Sequence, residues 1–248
     1  MKDITAEFCA LDLERFAFFF DFDGTLAEIA PRPQDVVLSP GLRRDLGQLY
    51  LRTRGAVAII TGRQSSELVS LVGPDLPVAG LHGMDFPDAA PTPDRIVAAR
   101  VAAIRSLLPD LARLIADHPG ALLEDKRQGF ALHWRGAPEA EAALTHAAQE
   151  ALARLGDGWS LQPGKSVIEI RPAGDDKGTA LRRFLTLPAF RGRRPIAFGD
   201  DLNDLPMLAS AQAAGGIAVA MGEVPLAADL RLAGPEALAA WLNERLAA

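Results

Sequence analysis

F-F-F-D-F-D-G-T-L, residues 18–26, completes an apolar run that begins at Phe16 and ends it on two carboxylates two residues apart. Such a run reads as a buried strand, and an α/β sheet builds its sites where strands deliver polar groups at their C-terminal ends. Asp21 offers an anionic oxygen suited to nucleophilic attack or metal ligation. Asp23, one strand period further on, is expected to point to the same side and to handle a proton. A solvated Asp-Gly turn that merely ends the strand is the alternative reading of these letters.

Outward from that stretch, strands and helices alternate. A helix is expected over residues 40–54. A β-rich run over 56–60 closes on Thr61-Gly62-Arg63, a helix starts near Ser65, and a short strand over 78–81 leads into His82-Gly83. This β-α-β-α-β order predicts a doubly wound parallel sheet. The texture changes after Asp85. Pro87, Pro91 and Pro93 mark a linker, an Ala/Leu/Arg-rich helix runs to about His118, and two pairs of strand-like segments flank a helix over 138–155. Short turns between those segments suit a small, mostly antiparallel α+β unit. From Lys177 the parallel pattern resumes, with a strand over 195–198 that ends in Gly199-Asp200-Asp201, another over 217–220, and a C-terminal helix. The expectation is an α/β core made of residues 1–86 and 172–248, interrupted by an inserted α+β domain over 87–171.

At 248 residues, 49% of them hydrophobic and 23% charged, the chain has room for one large core and a small insertion. A net charge of −6 without a dense Lys/Arg run argues against a nucleic-acid partner. No apolar run reaches the ~18 residues that suggest a membrane span. The single cysteine, Cys9, excludes an internal disulfide and a four-cysteine zinc site. Residues 1–15 lack a signal-peptide pattern, and the expectation is a cytoplasmic protein, taken as a monomer.

Two further strand ends carry polar residues. Thr61-Gly62-Arg63 offers a hydroxyl and backbone N–H groups near a helix start, which suits an anion such as phosphate; an N-cap and turn is the plainer reading. Gly199-Asp200-Asp201, with Asn203 and Asp204 following, supplies the hard oxygen ligands that Mg²⁺ prefers, although a solvated acidic turn would look the same. Lys177 stands at a helix start, where a lysine is usually a surface charge. Acids, metal and phosphate together would need a cation there, one able to pair with Asp21 and the phosphate. No Gly-rich P-loop points to nucleotide binding.

These segments resemble the motifs of the haloacid dehalogenase superfamily of phosphotransferases: D-F-D-G-T-L at 21–26, Thr61-Gly62-Arg63, Lys177, and G-D-D-L-N-D at 199–204, in that order. The resemblance implies a Rossmann-like core with a C2B-type inserted cap and a two-step reaction. Asp21 attacks phosphorus and becomes an aspartyl-phosphate, while Asp23 protonates the leaving oxygen and later deprotonates water. It implies Mg²⁺ held by Asp21, the Asp23 carbonyl and Asp200, with Asp201 and Asp204 acting through water. Thr61, Gly62 and Lys177 would steady the phosphoryl oxygens.

The insertion bears on the substrate. Glu124 and Lys126 alternate on one expected strand, His133 and Arg135 on the next, and Lys165 and Glu169 lie on the last pair. Period-two charges line one sheet face. Pattern alone favours cross-strand ion pairs there over a sugar-binding surface. Yet L-E-D-K-R-Q-G-F-A-L-H-W-R at 123–135, G-L-H-G at 80–83 and G-K-S-V-I-E-I-R-P at 164–172 resemble the trehalose-6-phosphate phosphatase family. By that similarity Glu124, Lys126, Arg135, Lys165 and Glu169 bind the glucose unit remote from phosphate, and His82 and Gly83 shape the pocket. Two departures stand out. Asp85 occupies a position where the family usually has Glu, and the fourth motif reads G-D-D-L-N-D-L instead of G-D-D-x-T-D-E. The implied substrate is trehalose 6-phosphate, a small sugar phosphate. The competing readings are a phosphatase for another sugar phosphate, such as a sucrose or mannosylglycerate ester, a phosphomutase, and a non-catalytic sensor.

Overall fold

In a computed structural model of the protein, the structure describes residues 8, 11–73, 75–87, 94–174 and 176–247. Cys9, Pro91 and Pro93 of the expected linker, and Asp175 lie outside the described residues. The strands are β1 (Phe16–Phe20), β2 (Val57–Ile60), β3 (Val78–Ala79), β4 (Leu122–Asp125), β5 (Phe130–His133), β6 (Trp159–Gly164), β7 (Val167–Pro172), β8 (Arg194–Gly199), β9 (Ile217–Met221) and β10 (Leu230–Leu232). The α-helices are α1 (Pro40–Arg52), α2 (Ser65–Val72), α3 (Asp94–Ala116), α4 (Glu141–Leu155), α5 (Lys177–Phe184), α6 (Leu205–Ala213) and α7 (Pro235–Ala247). Chain contacts divide the protein into two compact units, Met1–Ala89 with Asp175–Ala248, and Ala90–Gly174.

The first unit holds a six-stranded sheet in the order β10-β9-β8-β1-β2-β3, and every pairing in it is parallel. β1 is central because both its faces are apolar. Phe16, Phe18 and Phe20 pack with Leu46, Val57, Phe198 and Trp241 on one side. Ala17 and Phe19 pack with Phe184, Phe190 and Leu208 on the other. A strand buried on both faces reads as an uninterrupted apolar run, and helices must then cover both sides of the sheet. Burying each phenylalanine contributes ~1.5–3 kcal/mol. The chain winds outward from β1 through β2 and β3, then restarts at β8 on the other flank of β1. β1 and β8 therefore border the switch point where α/β sheets place their sites.

The second unit is an antiparallel sheet in the order β4-β5-β7-β6. Phe130, Leu132, Ile168 and Ile170 point to one face and pack with Ile104, Leu107 and Leu111 of α3 and with Leu144, Ala148 and Ala151 of α4. The residues between them face the other way and are mostly polar, as period-two alternation requires. Thus the doubly wound parallel sheet and the antiparallel insertion expected from sequence both form. β10 is the strand that sequence reading missed: Leu-Arg-Leu is too short and too exposed to display a period.

Candidate active site

Asp21 follows β1 directly and is 5% exposed; its N–H donates to the Phe198 carbonyl of β8 at 2.9 Å. Asp200 follows β8 and is also buried. The next residues turn into a 3₁₀ segment, Leu202–Asp204, through a reciprocal capping box between Asp201 and Asp204. Fully buried Asp204 accepts at Oδ2 from the N–H groups of Asp200 (2.9 Å) and Asp201 (3.1 Å). Asp201 Oδ1 accepts from Leu202 N–H at 2.7 Å.

Lys177 opens α5, whose N-cap is the Asp176 side chain. It is 1% exposed, so it is no surface charge. Its Nζ donates to Asp21 Oδ1 and to Asp204 Oδ1, both at 2.7 Å. Burial works against the Lys177 ammonium, but the charges of Asp204 and Asp21 outweigh it and hold its pKa above the ordinary value. Burial, then the Asp204 charge, raises Asp21 well above the usual carboxylate range despite Lys177. The same two causes push Asp200 up to about 7.

Asp21, Asp200 and Asp204 bring carboxylate oxygens within 4.8 Å of one another. One ammonium among three carboxylates leaves excess negative charge in a buried place. Asp200 Oδ1 and Asn203 Oδ1 are buried without a hydrogen-bond partner. Hard oxygen donors, excess charge and orphaned acceptors together fit a divalent cation such as Mg²⁺. Gly24 is required beside it: its φ is +86°, and a Cβ there would lie 2.1 Å from Asp200 Oδ2.

Asp23 sits differently from Asp21. Its carboxylate accepts a bidentate pair from Arg63, Nε to Oδ2 and Nη2 to Oδ1, each at 2.7 Å, and 37% of its side chain is exposed. The sequence marks Arg63 as part of a turn but carries no sign of a partner forty residues away. Thr61 is buried, and its Oγ1 accepts from Arg63 N–H at 3.1 Å. Residues 80–85 clamp this turn. His82 N–H donates to the Thr61 carbonyl (2.8 Å), Leu81 N–H to the Arg63 carbonyl (2.9 Å), and Ser65 N–H at the start of α2 to Asp85 Oδ2 (2.9 Å). Asp85 therefore serves as the side-chain cap that Gln64 does not supply. Leu81 and His82 take left-handed φ values of 48° and 56° ahead of Gly83. The His82 ring lies so close that a Cβ on Gly62 would approach it to 2.8 Å.

In the second unit, Glu124, Ala131, Glu169 and Gln162 stand in one cross-strand row. Lys126 Nζ donates to Glu169 Oε2 at 2.6 Å, with the two side chains 13% and 10% exposed. His133 Nε2 meets Glu124 Oε2 at 2.9 Å. Burial pushes Glu124 up, but the His133 hydrogen bond and the Lys126 charge hold its pKa below the ordinary value. Lys126 with Glu169 is an ion pair of the kind the charge pattern favoured, although Lys126 stands one residue past the end of β4, and His133 with Glu124 is a cross-strand hydrogen bond. Arg135 and Lys165 lie at the sheet's end, exposed, with Arg135 Nη2 donating to the Lys165 carbonyl at 3.4 Å. Gln162 and Arg171, which sequence reading did not single out, pair on the same face at 3.2 Å.

A doubly wound sheet with an antiparallel insertion, and a buried aspartate–lysine cluster at its switch point, define a phosphohydrolase of the haloacid dehalogenase type. In keeping with that fold, a haloacid dehalogenase-like hydrolase from Bacteroides thetaiotaomicron superposes with a TM-score of 0.63 at 16% identity, covering 93% of this chain and 99% of the other. The C-terminal domain of a Candida albicans trehalose-6-phosphate phosphatase superposes with a TM-score of 0.77 at 22% identity, covering 94% and 93%. The trehalose-phosphatase family matches residues 19–233. The trehalose-6-phosphate phosphatase of Escherichia coli K12 is 40% identical over 230 residues, which is 92% of this chain and 86% of the relative. The chain belongs to the trehalose-phosphatase family, whose members are phosphoric monoester hydrolases.

Proposed function

We propose that this chain hydrolyses trehalose 6-phosphate to trehalose and inorganic phosphate through an aspartyl-phosphate on Asp21. The observation that carries the reading is the buried Asp21–Lys177–Asp204 cluster at the end of β1. Lys177 fixes Asp21 through Oδ1 and offsets part of the charge that phosphate would meet. A carboxylate oxygen of Asp21 attacks phosphorus, the bond from phosphorus to the sugar oxygen breaks, and Asp23 gives that oxygen its proton. Asp23 then takes a proton from water as the water oxygen attacks phosphorus, which releases phosphate and restores Asp21. Arg63 orients the Asp23 carboxylate, and the Thr61-Gly62 turn, clamped by Leu81 and His82, cradles phosphoryl oxygens, with Gly83 ending the clamping segment. Asp21, the Asp23 carbonyl and Asp200 would hold Mg²⁺, with Asp201 and Asp204 contributing through water. When bound, the ion neutralises charge so that two anions can approach.

In this reading residues 1–86 and 172–248 form the catalytic domain, and residues 87–171 form a cap that selects the sugar. Glu124, Lys126 and Glu169, with Arg135 and Lys165 at the sheet's end, offer the mixed donors and acceptors that sugar hydroxyls need. The single cysteine suits a reducing cytoplasm. The test is phosphate release from a panel of phosphorylated sugars with and without Mg²⁺, with Asp21→Asn as the inactive control. Preference for trehalose 6-phosphate, strict dependence on the ion and no isomeric product are expected. Comparable kcat/KM for several monosaccharide phosphates would refute the substrate, and an active Asp21→Asn would refute the nucleophile.

A further inference from the structure

Glu124 is held by one oxygen. His133 lies two residues along β5 from Ala131, the register partner of Glu124, so its imidazole reaches Glu124 across the diagonal of two antiparallel strands. Because a carboxylate only accepts, Nε2 of His133 carries the hydrogen and donates it to Oε2 at 2.9 Å. Among the described residues nothing donates to the other oxygen, Oε1. The side chain is 33% exposed, so that oxygen retains access. Ala131, between Glu124 and Glu169 in the row, has no side chain long enough to fill the space separating the two carboxylates.

The neighbouring pair is built otherwise. Glu169 and Lys126 are nearly buried and bonded to each other. A carboxylate anchored at one oxygen and open at the other is a preorganised acceptor. A free glutamate has three side-chain torsions, and ordering such a side chain on binding costs conformational entropy. The anchoring hydrogen bond meets that cost before a ligand arrives.

We infer that His133 is a positioning residue for sugar recognition: it donates Nε2–H to Oε2 of Glu124 and so presents Oε1 of that carboxylate to a substrate hydroxyl. The inference rests on the proposal that this sheet face reads the sugar, and it assigns His133 no contact with phosphate. Its effect is therefore one of discrimination between esters.

The test compares kcat/KM for trehalose 6-phosphate with kcat/KM for p-nitrophenyl phosphate, which carries no sugar. His133→Ala is expected to lower the ratio on the order of tenfold, the scale of one hydrogen bond to a charged group. The loss should appear in KM more than in kcat. His133→Gln, which can return an N–H to Oε2, should recover most of the ratio. In a Glu124→Ala background, His133→Ala should add nothing, because the two act as a unit. Loss of both activities in parallel, failure of glutamine to rescue, or an undiminished His133→Ala effect without Glu124 would each overturn the inference. If Glu124→Ala lowers the ratio while His133→Ala does not, the inference falls and the sugar reading stands. If neither changes it, both fall.

Discussion

Replacing Lys177 by methionine removes a cation from the least exposed charged cluster of the sheet domain while keeping nearly the same volume. Lys177 is 1% exposed, and its Nζ holds Asp21 Oδ1 and Asp204 Oδ1 at 2.7 Å each. Methionine leaves both oxygens facing a thioether and strands Asp21, Asp200 and Asp204 without a counter-charge. Breaking a buried ion pair from one side costs about 3–5 kcal/mol. That is a large part of the roughly 5–15 kcal/mol that keeps a domain folded. For a chain of this size it corresponds to a thermal midpoint roughly 6–20 °C lower. The assay is thermal and urea unfolding of metal-free protein at pH 8 and pH 5. Acidification protonates the raised carboxylates and lessens their repulsion, so the variant should lose more at pH 8 than at pH 5. Turnover should vanish with it, because Asp21 loses its anchor. A variant within about 1 kcal/mol of the natural protein at pH 8, where a surface substitution would leave it, would refute the reasoning.

Three other outcomes follow from the same geometry. In the metal-free protein, Asp200 is pushed from 3.8 up to about 7, so the folded state binds more protons than the unfolded one in that window. Stability should fall as pH rises between those values. Calorimetry across pH 4–8 checks this, and a rise in midpoint over that range would contradict it. Gly24→Ala forces a left-handed alanine, costing ~1–2 kcal/mol, and drives its Cβ into Asp200. Turnover should drop on the order of 10²-fold and the Mg²⁺ titration should move to higher concentration; an unchanged titration curve would show that Asp200 is not the ligand. Glu169→Ala should cut the preference for trehalose 6-phosphate over p-nitrophenyl phosphate by about tenfold or more, whereas equal losses on both would mean that this face does not read sugar.

Much of the fold was legible because burial leaves its signature in consecutive letters. Phe16–Phe20, Val57–Ile60 and Ile217–Met221 are buried at every position, and each reads as an apolar run closed by an acid, Thr61-Gly62 or glycine respectively. The acids at the ends of β1 and β8 were legible for the same reason, since polarity appears abruptly where the sheet stops. Of the long-range pairings, only Lys177 with Asp21 and the charge pairs of the inserted sheet were legible. That Arg63 grips Asp23, that Asp85 caps α2, and that Asp204 spends Oδ1 on Lys177 depend on the chain's return from far away. Nothing in the local spacing encodes them. Lys177 stands between the two cases: its pairing with Asp21 was expected from the need for a cation among the acids, whereas its second partner, Asp204, was not.

The charged face of the inserted sheet marks where pattern reasoning divides. Alternating acids and bases on adjacent strands favoured ion pairs over a sugar surface; the Lys126–Glu169 ion pair exists, and His133 is hydrogen-bonded to Glu124. Yet pairing is not a rival of recognition. A sugar hydroxyl needs acceptors and donors whose directions are already set, and a carboxylate gains a set direction only from a neighbour that holds one of its oxygens. A solvated face would leave such charges mobile and exposed, whereas Lys126 and Glu169 are nearly buried and bonded at 2.6 Å. The exposure of these side chains, and not their identity, separates an ornamental ion pair from a preorganised one. Exposure is a property of the fold that no alternation of letters reveals.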